Sequence, residues 1–283
     1  MMGEKSMTAE GFSIRQMTEG DIAFGMTLDE IVGWNQVVAD WVRFLRYQPD
    51  GCFVGMVGGK PVGTVSTTCY GTEMAWIGMV LVHPDHRRKG IATALMKHAL
   101  DFLDARGTQC VKLDATPAGA TVYEQLGFIR EWDFHRYQKD GKADQEALAI
   151  GAGAGGGGFA PPVTDREAFG VNRDQWLMRL AEGSRVEQFQ DGYGMLRPGR
   201  VATYLGPVMA QKADTAQVIV ERLLAETKRT VFWDVPGPNE EAVKMAQRWG
   251  FAPVRPLTRM WRGKKLIVGR VKWQYAMGAP ATG

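Results

Sequence analysis

The spacing of apolar and polar residues predicts two successive series of strands and helices. In the first series, strands are predicted over residues 12–16, 51–57, 61–70, 74–82, 110–115 and 128–138, and helices over residues 19–28, 37–47, 91–105 and 118–126. The run Met74–Val82 is apolar at nearly every position, which is typical of a strand covered on both faces. Antiparallel strands followed by a strand–helix–strand unit predict a mixed α/β domain.

The second series follows a stretch rich in Gly and Pro. Residues 146–162 predict a flexible linker between a first domain, 1–145, and a second domain, 163–283. Helices are predicted over 165–181, 213–226 and 239–249, and strands over 185–190, 192–197, 201–209, 230–235 and 251–262. This order repeats that of the first series, which indicates an internal duplication. The predicted fold class is α/β (α+β), with two tandem domains that each have a mixed, largely antiparallel sheet flanked by helices.

Composition limits the class of protein. The 283 residues are enough for two domains, and no apolar run approaches membrane-spanning length. Residues 1–11 are polar and lack the hydrophobic region of a signal peptide. The 3 cysteines are scattered and have no metal-ligand spacing, which favours buried thiols and predicts no metal site. We therefore expect a cytoplasmic protein that does not enter a membrane.

The net charge of +3 is unevenly distributed, because basic residues cluster near the end of the chain. The cluster comprises Arg259, Arg262, Lys264, Lys265, Arg270 and Lys272. The favoured interpretation is the solvated face of a β-hairpin that turns at residues 263–264. The alternative is a surface that attracts anions. No nucleic-acid-binding motif surrounds the cluster, so no nucleic acid is expected as a partner.

A basic, glycine-containing turn joins the apolar strand to the next helix. The strand ends at Val82, and Arg87–Gly90 leads directly into an amphipathic helix. The first N–H groups of a helix have no intrahelical partner, and the helix dipole is positive at this end. Gly90 lets the backbone approach a ligand closely because it has no Cβ. This arrangement predicts a phosphate-binding site, to which the Thr93 hydroxyl can contribute.

The spacing within this turn resembles a known signature. Arg87–Ala92 matches the (Arg/Gln)-x-x-Gly-x-(Gly/Ala) motif of the GNAT superfamily of acyl-CoA-dependent N-acyltransferases. Some thirty residues later, Tyr123–Phe128 is similar to the family's second landmark, a Tyr followed by Leu-Gly-Phe. The whole chain resembles two-domain bacterial GNAT proteins in which one domain is active and the other degenerate.

The resemblance implies acetyl-CoA as the acyl donor and coenzyme A as a product. The implied cofactor-binding residues are Val80, Leu81 and Val82 for the pantetheine arm, and Arg87, Arg88, Lys89, Gly90, Ile91, Ala92 and Thr93 for the pyrophosphate. Tyr123 matches the family's general acid, which protonates the leaving thiolate. The alternative role for Tyr123 is core packing, with its hydroxyl bound to a partner.

The acceptor side is less defined. Many family members place a Glu six residues before the Val82 position, where this chain has Trp76. The general base stays open among Glu73, Asp29, Glu30, Asp114 and a chain of water molecules, although Asp114 is better suited to binding backbone. Trp34, Asn35 and Trp76 are candidate substrate-binding residues that would surround an amine. The alternative is a core Trp and a capping Asn.

These features favour an N-acetyltransferase that acts on the primary amine of a small molecule by direct attack. The alternatives are acetylation of a protein N-terminus or lysine, and an acyl-CoA sensor without turnover. In the second domain the matching turn, Ala210–Asp214, lacks the glycine, and Ala246 stands where Tyr123 would be. That domain is therefore expected not to bind acyl-CoA, and the protein to be a monomer or a weak homodimer.

Overall fold

The computed structural model describes residues 11–141, 158–265 and 269–283. The chain forms two compact units, Met1–Val111 and Lys112–Gly283, so the division falls inside one strand. The polar start of the chain and most of the predicted linker lie outside the described residues. Within the described ranges, no helix combines the length and the apolar character that crossing a membrane requires.

The first unit is an antiparallel sheet covered by helices. Its elements are β1 Phe12–Gln16, α1 Ile22–Ile31, α2 Val38–Tyr47, β2 Cys52–Val57, β3 Lys60–Tyr70, β4 Met74–Val82, α3 Ile91–Ala105 and the start of β5 Cys110–Ala115. Strands β1 to β4 pair in chain order. The apolar stripe of α3, which includes Leu95, Ala99 and Leu103, is buried where the helix meets β2, β3 and β4.

The second unit contains the rest of β5 and the remaining elements. These are α4 Pro117–Gln125, β6 Ile129–Lys139, α5 Val163–Phe169, α6 Asp174–Ala181, β7 Arg185–Phe189, β8 Gly192–Arg197, β9 Thr203–Ala210, α7 Ala213–Ala225, β10 Val231–Pro236, α8 Glu240–Arg248, β11 Ala252–Gly263 and β12 Gln274–Ala276. Its strand order is β5-β11-β6-β10-β9-β8-β7, and β12 pairs with β9. The fully buried Trp233 lies in its main core and meets the ring of Phe251 edge-on.

The two series of strands interleave within this unit. Strand β6 ends the first series, but it pairs with β10 and β11 of the second. Strand β11 in turn lies between β5 and β6. Phe134 pairs with Leu257, and each lies six residues after the Phe of its own Gly-Phe pair, Phe128 or Phe251. The central strands are therefore related by an approximate two-fold axis, and the predicted mixed α/β class is confirmed.

Two sequence predictions are wrong in detail. The helix predicted over 165–181 is two helices, because Gly170 adopts φ 103° and ends α5. The β-hairpin predicted at residues 263–264 is not found among the described residues, since the next strand there, β12, pairs with β9 rather than β11. The three cysteines are buried and free, as expected.

Candidate active site

The loop between β4 and α3 has an unusual backbone. Residues 84–86 form a single 3-10 turn, and Arg88 and Gly90 both have positive φ, 60° and 76°. Gly90 is the N-cap of α3, and no side chain caps the helix. A glycine tolerates the left-handed conformation, whereas a Cβ at this position would be strained. The loop therefore ends with bare backbone at the start of a 15-residue helix.

The N–H groups of this helix start are available to a ligand. Within the described residues, the structure records no hydrogen bond from the N–H groups of residues 88–93, and the helix ladder begins with Ala94 N to Gly90 O at 2.9 Å. The side chains of Arg87, Arg88 and Lys89 are exposed around them. Exposed amides, a positive helix end and three cations together suit a pyrophosphate.

Strand β4 is interrupted just before this loop. Its register against β3 shifts between Gly78, which pairs with Ser66, and Leu81, which pairs with Thr64. Met79 adopts φ 53° at the shift, and its carbonyl accepts a hydrogen bond from the Thr64 hydroxyl at 2.8 Å. This is a β-bulge, which bends and twists a strand locally.

Beyond the bulge, the backbone N–H and C=O groups of successive residues of β4 point alternately towards β3 and away from it. The His83 N–H donates to Val62 O at 2.9 Å, so the backbone groups of Val82 point to the other side of β4. The Val82 carbonyl accepts from Arg87 Nε at 3.0 Å. An extended ligand chain can hydrogen-bond to such outward-facing backbone in the manner of an added strand.

Tyr123 lies in the second unit, whereas the β4–α3 loop lies in the first. Its helix, α4, begins at the Thr116 cap, whose hydroxyl accepts from the Gly119 N–H at 3.2 Å. The Tyr123 ring meets Phe128 edge-on, with centroids 6.2 Å apart. Among the described residues its phenol has no hydrogen-bond partner, and burial raises its pKa to about 12. The phenol is thus protonated at neutral pH, as a general acid must be.

The acceptor-side candidates differ in exposure. Trp76 is 1% exposed, which favours packing for this residue. Asn35 is buried. Trp34 is half-buried, and its backbone N–H donates to the backbone carbonyl of Asp29 at 2.8 Å. The Asp29 side chain is buried and accepts from Trp41 Nε1 at 2.7 Å, so it joins the two helices rather than facing an acceptor.

Asp114 has a partner that the sequence interpretation missed. Its buried carboxylate accepts two hydrogen bonds from Arg259, from Nε at 2.9 Å and from Nη2 at 3.0 Å. The interpretations of Arg259 as a solvated residue and of Asp114 as a backbone-binding residue are wrong. Burial raises the pKa of Asp114 to about 6, and Arg259 opposes that rise. The remaining carboxylate candidates for the base, Glu30 and Glu73, are exposed.

The corresponding turn of the second series lacks the left-handed residues and the run of three cations. Only two residues separate β9 from α7, and the N-cap of α7, Lys212, has an ordinary φ of −124°. Asp214 lies in the first turn of the helix, where its charge opposes an anion. The residues at the register shift of β9 against β8 are Gly206 and Pro207, and proline has no N–H.

Strand β12 lies against β9 beyond this register shift. Strand β10 pairs with β9 only over residues 203–205, and β12 pairs with Val208 and Met209 beyond it. Met277, which follows β12, also binds β10, because its N–H donates to Asp234 O at 3.0 Å. The backbone edge of β9 beyond the register shift is therefore occupied. Among the described residues, no group of His, Cys, Asp and Glu side chains is suited to a metal ion.

Comparison with known proteins places both series in one family. An acetyltransferase (GNAT) family model matches residues 24–128, and an acetyltransferase (GNAT) domain model matches residues 163–276. Holothin acyltransferase from Pseudoalteromonas sp. (strain SANK 73390) is 24% identical over 252 residues, which cover 82% of this chain and 81% of that protein. N-alpha-acetyltransferase 30 from Schizosaccharomyces pombe is 30% identical over 105 residues, which cover 35% of this chain and 70% of that protein.

Solved structures support the same fold. A crystal structure of a Pyrococcus horikoshii protein matches with a TM-score of 0.81 and 24% identity over 100% of this chain and 99% of that one. A tandem GNAT protein from the clavulanic acid biosynthesis pathway matches with a TM-score of 0.64 and 18% identity over 90% of this chain and 100% of that one.

Proposed function

The chain belongs to the GNAT acetyltransferase family, and from that premise we propose that it transfers the acetyl group of acetyl-CoA to the primary amine of a small molecule. As a family member it is an acyltransferase that uses acetyl-CoA. The observation that carries the proposal is the start of α3, where left-handed Gly90, unbonded N–H groups and three exposed cations fit a pyrophosphate.

We assign acetyl-CoA binding to β4 and to the loop that follows it. The residues are Val80, Leu81, Val82, Arg87, Arg88, Lys89, Gly90, Ile91, Ala92 and Thr93. Acetyl-CoA supplies a thioester, an acyl group activated for attack by an amine. The β4 backbone orients the extended arm, and the loop with the start of α3 holds the phosphates. We assign catalysis to the first domain, 1–145, and a non-catalytic role to 163–283.

Tyr123 is the residue to which we assign proton donation. A thiolate leaves more readily when an acid protonates it, and the Tyr123 phenol, like that of an ordinary tyrosine, carries its proton at neutral pH. The phenol makes no hydrogen bond to other described residues, so its proton is not committed to the core. We assign acceptor contacts to Trp34 and Asn35, and a packing role to the buried Trp76.

A small-molecule acceptor is favoured by the extent of the sequence matches. The relative named holothin acyltransferase matches 82% of this chain, so both copies are included. The match to N-alpha-acetyltransferase 30 covers only 35% of this chain. The second candidate acceptor is a protein N-terminus, which is favoured by the higher identity of that match, 30% against 24%.

The test is thiol release from acetyl-CoA in the presence of different acceptors. Spermidine, tyramine and an alanine-initiated peptide would each be added at the same concentration. We expect release with a small amine to exceed release with the peptide. Faster release with the peptide would support the protein acceptor, and acetyl-CoA binding without release with any amine would support a sensor. Absence of acetyl-CoA binding would overturn the proposal.

A further inference from the structure

A buried ion pair joins strands from the two series. Arg259 on β11 and Asp114 on β5 form a two-point contact, and their side chains are 4% and 0% exposed. The guanidinium lies 4.5 Å from the centre of the Trp132 ring, and its Nη2 is 3.1 Å from Met277 Sδ. The Arg259 side chain is therefore held on several sides, and it reaches the Asp114 carboxylate in a fixed orientation.

Asp114 stands immediately before the helix that carries Tyr123. Strand β5 ends at Ala115, and Thr116 is the N-cap of α4. Strand β11 lies beside β5 in the sheet and also packs against α4. The Arg259–Asp114 pair thus fixes the end of β5, from which α4 begins. A shift there would change the position of α4 and with it the Tyr123 phenol.

The structure contains a matching pair that serves as an internal control. Arg136 on β6 binds Asp234 on β10 through Nε at 2.8 Å and Nη2 at 2.7 Å. Arg136 and Arg259 each lie eight residues after the Phe of a Gly-Phe pair, so the two ion pairs are related by the approximate two-fold axis. The helix that follows Asp234, α8, has Ala246 at the position matching Tyr123.

We propose that Arg259, from the second series, is a positioning residue for acyl transfer: through Asp114 it sets the start of α4 and so the orientation of Tyr123. The proposal rests on the proton-donor role proposed above for Tyr123. Arg259 acts through Asp114 and touches no reacting atom. The second series thereby contributes to the chemistry of the first, although β12 covers the edge of its own strand β9.

The test compares Arg259→Lys with Arg136→Lys. Lysine keeps the charge but loses the planar two-point contact, so both variants weaken an equivalent buried pair. We expect Arg259→Lys to lower kcat about tenfold while the Kd for acetyl-CoA changes less than about twofold. We expect Arg136→Lys to leave kcat within about twofold, because the helix beside its partner carries no acid.

A second readout needs no acceptor. Protein labelled with 3-fluorotyrosine gives a ¹⁹F resonance for Tyr123, assigned by its loss in Tyr123→Phe. This resonance should shift or broaden in Arg259→Lys and stay unchanged in Arg136→Lys. If Arg259→Lys does not fold, the paired replacement of Arg259→Met with Asp114→Leu removes both charges and leaves no buried ion unpaired. The same loss of kcat and change in resonance are expected.

The outcomes separate this inference from the proposed function. An unchanged Tyr123 resonance and unchanged kcat in folded Arg259 variants would overturn the positioning role. Equal losses of kcat in the Arg259 and Arg136 variants would also overturn it, because the effect would then follow stability alone. If the wild type releases no thiol with any amine, the proposed function fails, and the resonance still decides whether Arg259 positions Tyr123.

Discussion

The β4–α3 loop and the β9–α7 turn occupy the same place in two copies of one strand order, but they differ in length and in backbone conformation. The first has eight residues with left-handed Arg88 and Gly90, and the second has two residues with an ordinary backbone. The helix that follows is amphipathic and packs on its sheet in both copies. The copies therefore share their packing and differ in the loop.

The difference shows that core and site depend on separate properties. Packing of α3 and α7 requires apolar side chains at helical spacing, which both copies have. The start of α3 has a left-handed N-cap and three consecutive cations, whereas the start of α7 has one cation, Lys212, opposed by the negative charge of Asp214. In the second copy β12 also covers the edge of β9. A duplicated fold can thus keep its core while the loop before the helix changes.

The largest expected effect is on acetyl-CoA affinity. Gly90→Glu adds a Cβ at a left-handed position and a negative charge at the phosphate site. We expect calorimetry to show one equivalent of acetyl-CoA bound per wild-type chain. In the variant we expect the affinity for acetyl-CoA to fall about a thousandfold. The matched variant Lys212→Glu alters the N-cap of α7, and we expect it to change affinity less than about twofold. A large effect of Lys212→Glu would mean that the second copy binds the cofactor.

The next largest effect is expected on kcat, through the proposed proton donor Tyr123. Tyr123→Phe removes the phenol and keeps the ring against Phe128, so we expect kcat for thiol release to fall about a hundredfold. The Kd for acetyl-CoA should stay the same. Tyr275→Phe removes a phenol from β12 in the second copy and serves as the control, with kcat within about twofold. Equal effects of the two substitutions would argue against the assignment of Tyr123.

The pH profile sharpens the same assignment. An ordinary tyrosine, with a pKa of about 10, is half ionised at about pH 10. Burial raises the pKa of Tyr123 to about 12, so the acid form persists at that pH. We expect wild-type kcat not to fall between about pH 8 and about pH 10. If wild-type kcat falls over this range and the kcat of Tyr123→Phe does not, the phenol ionises at a lower pH than its burial implies.

The last prediction concerns stability rather than activity, and it contrasts the ion pairs near the first helices of the two copies. Arg15 is exposed and binds the buried carboxylate of Asp21, whereas Arg173 and Asp165 are both fully buried. Hydrogen bonds from Arg15 lower the pKa of Asp21 to about 2, so this pair stabilises the fold at neutral pH and stops doing so as the pH falls from about 4 to about 2.

Asp21→Asn should therefore cost only about 1 kcal/mol at pH 7, since the Arg15 side chain is 43% exposed and water screens the pair. Urea unfolding at neutral and acidic pH measures the difference, which should shrink on acidification. Asp165→Asn leaves Arg173 buried without its charged partner and should cost about 3–5 kcal/mol. A larger loss for Asp21→Asn than for Asp165→Asn would contradict this order.

The amino-acid sequence alone predicted the two strand–helix series, the glycine turn at Gly90 and Tyr123 as a candidate acid, because each of these depends on residues close together in the chain. It predicted neither the interleaving of β6 with β11 nor the pairing of β12 with β9. Strand partners are chosen by burial and hydrogen bonding between distant segments, which leave no local pattern.

Arg259 illustrates the boundary between the two kinds of information. In the sequence it is one of several basic residues near the end of the chain, and only its distance from Gly-Phe, shared with Arg136, marks it. The tertiary structure buries it against Asp114, 145 residues earlier. The sequence favours a solvated interpretation for an arginine that has no acidic partner nearby in the chain. Only the packed sheet shows that Arg259 is enclosed, because burial depends on everything that surrounds a side chain.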